Sequence, residues 1–545
     1  MKPLTNADIL VFVIYFLIVA GYGYWIYRKR KTREHDSKAF FLAEGSLTWW
    51  AIGASLIASN ISAEQFIGMS GNGYFVGIAV AAYEWIAAVS LIIIAIWFMP
   101  VYLKNKIYTM PQFLKTRYNE SVALIMAIFW LFLYVFVNLT SILYLGAAAI
   151  NGLIPGQNYL HVVMIALAIF AIIITLGGMK VIGYTDVIQV AVLIIGGLVT
   201  VYMALDKVSN GSGVVSGFDT VMKEAPDHFH MILAKPDETS PQDYINKYLI
   251  LPGILMYIAG QWIANLNYWG CNQYIVQRAL GADLKTARSG ILFAAFLKLL
   301  MPVIVVLPGI AAYVLHRQGM FQTEMIAGNE LNPDRAYPVL LNLLPSGLKG
   351  LAFAALTAAI VASLAGKANS IATIYTLDIH KKYVDKDAND NKLVRIGRVT
   401  VLIAMILAIL ISPFLGIDKK GGFQYIQDYT GFVSPGVFAI FLLGFFWKRA
   451  TAKAALTAII SGFVFSVIFK FYFTDMPFLD RMGWVFVICV GLMVAISLLD
   501  PKSKNSTDKL DVHPSMFKTH TGFAVGALII TGILAALYLV FEQAG

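Results

Sequence analysis

Residues 52–74 read IGASLIASNISAEQFIGMSGNGY. The stretch is apolar enough to enter a bilayer, yet it carries Ser55, Ser59, Asn60, Ser62, Glu64 and Gln65, and its glycines crowd at the far end, at Gly68, Gly71 and Gly73. Hydrocarbon offers such polar groups no partner. The helix therefore either faces a wet cavity or is broken so that its backbone can bind something. A second stretch, Gly260–Tyr274 (GQWIANLNYWGCNQY), repeats the pattern five spans later. Five spans apart means opposite directions through the bilayer. The pair predicts a secondary transporter built as an inverted repeat of five helices plus five, with binding at the midplane where the interrupted helices meet.

Composition agrees with that class. Of the 545 residues, 59% are hydrophobic and only 13% charged, against about 25% charged in soluble domains, and the mean hydropathy is +0.72. The chain reads as an all-α polytopic membrane protein. Fourteen spans of roughly bilayer length are expected: 9–27, 47–70, 77–100, 122–145, 160–177, 183–204, 248–269, 289–315, 348–378, 396–415, 424–446, 452–472, 482–499 and 521–541. The ninth is long enough that part of it should be tilted or extramembrane. The net charge of +10 sits in short loops, which argues against nucleic acid as a partner. Most of the 41 basic residues fall on one side, in loops such as Arg28–Arg33, Arg278–Arg288 and His380–Arg398. The positive-inside rule then places both termini outside, in a plasma membrane and plausibly a bacterial inner one. The first span is too long and its leader too weakly basic for a cleaved signal. Cys271 and Cys489 imply no disulfide framework. The expected organisation is a peripheral helix and loop (1–46), a first repeat with an outer loop (47–247), a second repeat (248–447) and three peripheral helices (448–545).

Several polar residues stand inside spans. Glu84, in span 3, needs a partner or water at that depth; it is either functional or hydrogen-bonded to a neighbouring helix. Gln65 and Glu84 flank one short turn and can meet. Lys298 lies nine residues into span 8, about 14 Å from the cytoplasmic end at ~1.5 Å per residue, and needs an acceptor such as Glu84 or a bound polyol. Asn265, Tyr268 and Trp269 suit a sugar, since amides bond hydroxyls and a ring covers the sugar's C–H face; an interfacial aromatic belt explains Trp269 equally. Ala359, Ala362 and Ser363 share one face of span 9. Small residues there allow either close packing or the carbonyl-and-hydroxyl cage that a sodium ion requires. Lys367, on the same face, is the most unusual residue in the chain. Asp186, one turn inside span 6, either snorkels to water or supports a cation site. His228 and His230 in the 205–247 loop are weak evidence for a metal and read better as surface.

FFLAEGSLTWWAIGASLIASNISAEQFIGMSGNGY, YEW, FVNLTS, TDVIQV, NYWGCNQYIVQR and FQYIQDYTGFVSPG together resemble the sodium/solute symporter family, nearest its sodium/sugar branch. The resemblance covers nearly the whole chain. It implies a leucine-transporter-like fold with one helix before the ten-helix core and three after it. It also implies sugar contacts at Gln65, Glu84, Asn265, Lys298 and Gln427, an inner gate at Tyr268 steadied by Asn60, and an outer gate at Met69, Tyr83 and Phe423. Sodium ligands fall on the carbonyls of Ala58, Ile61 and Ala359 and on the hydroxyl positions 362 and 363. The chain departs from the pattern where Ala362 replaces a hydroxyl residue, Lys367 an apolar one, Ala87 a serine and Asn267 an aromatic. The expected function is import of a galactose- or glucose-like sugar, driven by co-transported sodium and with no cofactor. In the alternative, Lys367 replaces the cation and transport is proton-coupled or uncoupled. No metal cluster, catalytic triad or phosphate loop is present in the sequence, so an enzyme is not expected.

Overall fold

The computed structural model describes residues 4–28, 37–43, 47–151, 159–327, 330–414, 427, 430–503 and 510–543. Among them, ten helices are long and apolar enough to cross a membrane, and a bent pair, Gln242–Ile258 with Gly260–Cys271, makes an eleventh. The remaining expected spans look different. The span expected at 47–70 is broken. The one at 160–177 is a 16-residue helix, Leu160–Thr175. The one at 424–446 contributes the 13-residue helix Ser434–Phe446, preceded mostly by residues outside the described set. Among the described residues the only sheet is a small antiparallel pair, Ile326–Ala327 with Glu330–Leu331, in an inter-span loop.

The elements that build the centre are α1 (Asn6–Arg28), α2 (Trp49–Asn60), α3 (Ser70–Phe75), α4 (Ala82–Ile93), α5 (Gly178–Val208), α6 (Gly260–Cys271), α7 (Gln273–Leu280), α8 (Leu284–Val305), α9 (Leu307–Arg317) and α10 (Leu348–Thr373). α5 lies along α10 and α2, while α8 lies along α2 and α4. Every residue of α10 from Ala352 to Thr373 is buried. Span 9 is thus one continuous rod, carried on by a wide π-helical segment to Val384.

Both predicted interruptions are present. α2 ends at Ile61, whose backbone is extended (φ −75°, ψ 116°), and a π-helical turn over Glu64–Met69 leads into α3. The chemistry of the break is local. The Ser62 N–H and hydroxyl both donate to Gln65 Oε1, at 2.9 and 3.2 Å, so a side chain takes the place of the carbonyl one turn back. In span 7 the chain bends by 81° before α6, then breaks at the extended Asn272 (φ −97°, ψ 127°) before α7. Tyr134 staples that second break. Its hydroxyl donates to Asn272 Oδ1 and accepts from the Gln273 N–H, both at 3.1 Å.

The glycines after the first break serve close packing. A Cβ on Gly73 would meet the Val306 carbonyl at 2.4 Å, and one on Gly309 would meet the Ser70 carbonyl at 1.9 Å. α3 and α9 therefore touch backbone to backbone. The first span is less plain than its sequence: Asp8 Oδ1 accepts the N–H groups of Gly347 and Gly350, both at 2.8 Å. It caps α10 across the chain, satisfying donors that a helix start leaves open.

The His228 loop is folded inward rather than lying on the surface. His228 is 3% exposed, donates from Nε2 to the Tyr74 carbonyl at 3.0 Å and stacks on Tyr313 at 4.1 Å. Burial pushes its imidazole down to about 4, opposed by that bond to Tyr74.

Two outcomes are expected. Gly309→Ala forces α9 off α3 and costs about 1–3 kcal/mol, read as a lowered thermal midpoint in detergent. The neutral His228 contributes stability that is complete above its ordinary value of 6.5 and is lost as pH falls from there to about 4, because only the unfolded chain takes up the proton in that window. Thermal midpoints measured across this range should decline in the unmodified protein and decline less in His228→Phe.

Candidate substrate and cation site

The two breaks open onto one cavity of about 1060 Å³, counted with its mouth. Eight of the expected residues line it: Asn60, Gln65, Tyr83, Glu84, Asn265, Tyr268, Lys298 and Gln427. Met69 is fully buried and does not line it. Phe423 lies outside the described residues.

The centre of the wall is charged and dry. Lys298 and Glu84 are 1% and 4% exposed and form an ion pair. The lysine also donates to Asn60 Oδ1, and Asn60 Nδ2 donates to the Tyr268 hydroxyl at 3.0 Å. The Trp269 ring covers the ammonium at 5.0 Å. Glu84 and Lys298 thus answer each other, and both reach Tyr268 through Asn60. Gln65 does not bond to Glu84; its carbonyl is committed to Ser62. Asn265 donates to the Gln261 carbonyl at 3.0 Å.

Two acceptors on the same wall are buried without a partner in the protein: Glu64 Oε2 and Asn267 Oδ1. The amide of Asn267 is oriented by donating to Ser434 Oγ at 3.0 Å, so its oxygen is held ready. Unpartnered buried acceptors cost free energy. They suit a neutral ligand rich in hydroxyl donors. Glu64 was visible in the sequence as one more polar residue of span 2, but nothing there separated it from its neighbours. Tyr134 and Ser434 carried no signal at all, because their roles depend on which helices meet.

Behind the break lies a second, more enclosed set. Ser62 donates to Gln65, and Gln65 N–H goes to the Ser62 carbonyl, so the turn-to-turn bonds that would occupy the Ala58 and Ile61 carbonyls are not made. Ala359, Ala362 and Ser363 are buried on α10, and Ser363 Oγ donates to the Ser59 carbonyl at 3.1 Å. Lys367, fully buried, donates to Ser363 Oγ at 3.0 Å. It does not point to cytoplasmic water. Asp186 does not snorkel either: it is 0% exposed, accepts from Ser55 Oγ at 2.5 Å and faces Arg278 at 3.9 Å. Arg278 in turn donates to the Ser55 carbonyl at 3.0 Å. Among the described residues no cluster of three or more His, Cys, Asp or Glu is placed to hold a metal.

Residues 40–462 match the sodium:solute symporter family. The chain belongs to that family. It is 45% identical to a sodium/glucose cotransporter of Vibrio parahaemolyticus over 99% of this chain and 98% of that protein. It is 34% identical to sodium/myo-inositol cotransporter 2 of Oryctolagus cuniculus, over 86% of this chain and 70% of that protein. In three dimensions it is similar to a Na+-coupled sialic acid symporter in a substrate-bound outward-open state (TM-score 0.77, 21% identity, 91% of this chain and 98% of that one). It is also similar to the inward-facing form of Mhp1 (TM-score 0.53, 15% identity, 88% and 98%). The fold is therefore that of the leucine-transporter-like symporters, and the protein is a multi-pass membrane transporter.

The buried pair makes a sharp stability prediction for this symporter. Lys298→Met alone leaves Glu84 unpaired and costs about 3–5 kcal/mol, seen as a large drop in thermal midpoint. Glu84→Gln combined with Lys298→Met regains most of that stability yet stays inactive in uptake, since the wall has lost its charged pair.

Proposed function

We propose that this symporter imports a neutral galactose- or glucose-like sugar together with sodium. The observation that carries the reading is the pair of unpartnered buried acceptors, Glu64 Oε2 and Asn267 Oδ1, on a cavity wall that also presents Gln65, Glu84, Asn265, Lys298 and Gln427. Hydroxyls of a sugar supply donors to the first group and accept from the amides and the ammonium. Tyr268, held by Asn60, covers the sugar's apolar face as an inner gate; Tyr83 and Met69 close the outer side. Sodium sits between the Ala58 and Ile61 carbonyls of the break and Ala359 and Ser363 of α10. The relatives are sodium/glucose and sodium/myo-inositol cotransporters, which supports sodium over proton-coupled or uncoupled transport.

Coupling follows from position. The ion binds the carbonyl side of residues 58–61, while the cavity is lined by Asn60, Glu64 and Gln65 of the same segment. An ion that fixes the break also fixes those side chains, and a ligand shifts an equilibrium only by its preference for one state. The energy suffices: one sodium moving through about 100 mV releases ~2.3 kcal/mol, and a tenfold gradient adds about 1.4. Together these sustain several-hundred-fold sugar accumulation. Both termini face outward in a plasma membrane, the two five-helix repeats span 47–247 and 248–447, and three helices beyond them are peripheral.

The test is uptake of labelled hexoses into proteoliposomes under an inward sodium gradient, with a proton gradient and a choline gradient as comparisons. Sodium-specific accumulation of one or more hexoses is expected; equal accumulation in all three would overturn the reading.

A further inference from the structure

We infer that Lys367 is a built-in competitor for the coupling ion: its ammonium holds the one hydroxyl that α10 offers a cation, and sodium binds by displacing it. This rests on the reading above that sodium is the ion and Ser363 one of its ligands. A serine hydroxyl has one proton to give and two lone pairs to share. At Ser363 the proton goes to the Ser59 carbonyl at 3.1 Å, and one lone pair goes to Lys367 at 3.0 Å. The neighbouring position, Ala362, has no side-chain oxygen, so an incoming ion finds no second hydroxyl there.

The ammonium is held loosely enough to leave. It forms no salt bridge among the described residues; besides Ser363 it meets the Tyr274 ring, 4.5 Å away. Arg278 repels it and Glu64 attracts it. Glu64 Oε2 is the buried carboxylate oxygen that has no hydrogen-bond partner, and a flexible four-carbon stem gives the lysine latitude to turn toward it. Sodium arriving at Ser363 would therefore drive the ammonium toward Glu64, on the wall of the sugar cavity. Lys367 thereby lowers sodium affinity without abolishing coupling, and connects ion occupancy to a cavity-lining carboxylate.

Two like charges within a few ångströms in a low-dielectric interior repel strongly, so removing one should tighten sodium binding by about tenfold or more. The experiment measures the sodium concentration for half-maximal uptake of the hexose that the unmodified protein accumulates. Lys367→Met should lower it about tenfold. Lys367→Gln keeps a hydrogen-bond donor but loses the charge and should show the same fall; Lys367→Arg keeps the charge and should not. An unchanged or raised sodium requirement in both Met and Gln variants overturns the inference. If a variant no longer transports, binding of radioactive sodium to the purified protein reads the same ratio, and equal affinities there overturn it too. Sodium-independent uptake by the unmodified protein would instead defeat the underlying reading, an outcome separable from the behaviour of the Lys367 variants.

Discussion

A main chain that leaves its helix inside hydrocarbon must have each freed N–H and C=O satisfied by something other than water. At residues 61–63 the protein meets this constraint unevenly. The donors are answered from within: Gln65 takes the Ser62 N–H, and Ile61 N–H still reaches the Ile57 carbonyl at 2.8 Å. The acceptors are answered only in part. The Ser59 carbonyl receives Ser363, while those of Ala58 and Ile61 are released from the ladder. These spare carbonyls are what the proposed sodium site draws on. The rest of the centre is arranged around that surplus.

The same economy explains the buried charges. Glu84 with Lys298, Asp186 with Arg278, and Glu64 with Lys367 place three acids and three bases around one break. Each isolated charge would be prohibitive at this depth. They are not equivalent. The first pair is in contact and fixes α4 to α8 beside Asn60. The second is longer, 3.9 Å, but is locked by Ser55, which donates to Asp186 and lends its carbonyl to Arg278. Gly366 leaves room for that guanidinium, since a Cβ there would meet it at 2.3 Å. Only the third pair is not closed, and its two members lie on opposite flanks of the break, Glu64 at the cavity and Lys367 at Ser363.

Much of this was legible in the sequence because polar residues in an apolar run have few explanations. Glu84 and Lys298 announced themselves by depth alone, and their pairing could be named as one of two options. The breaks were readable from polar density and spacing. What could not be read depends on which helices meet. Asp8 looked like part of a leader, yet it caps α10 some 340 positions away in the chain. His228 looked like loop surface, yet it is buried against Tyr313. Hydropathy also overstated how regular the spans would be: the 47–70 run is broken, and 160–177 yields only 16 helical residues. A sum over a window does not register where a side chain such as Gln65 displaces a backbone bond.

The geometry also constrains how the two halves of span 2 can move. α3 is bound to α9 through glycines with no space for a methyl group, whereas α2 lies against α5 and α8. Each half packs against its own neighbours, so a relative displacement of the two falls on the few residues between Asn60 and Glu64. The spare carbonyls of Ala58 and Ile61 and the cavity side chains of Asn60 and Glu64 lie within or directly beside those residues. Three residues span no more than about 10 Å, so ion and substrate need no extended pathway to sense each other. Whatever rigidifies the break from the carbonyl side changes the shape of the wall directly, and by linkage whatever occupies the wall changes the affinity for the ion by the same factor.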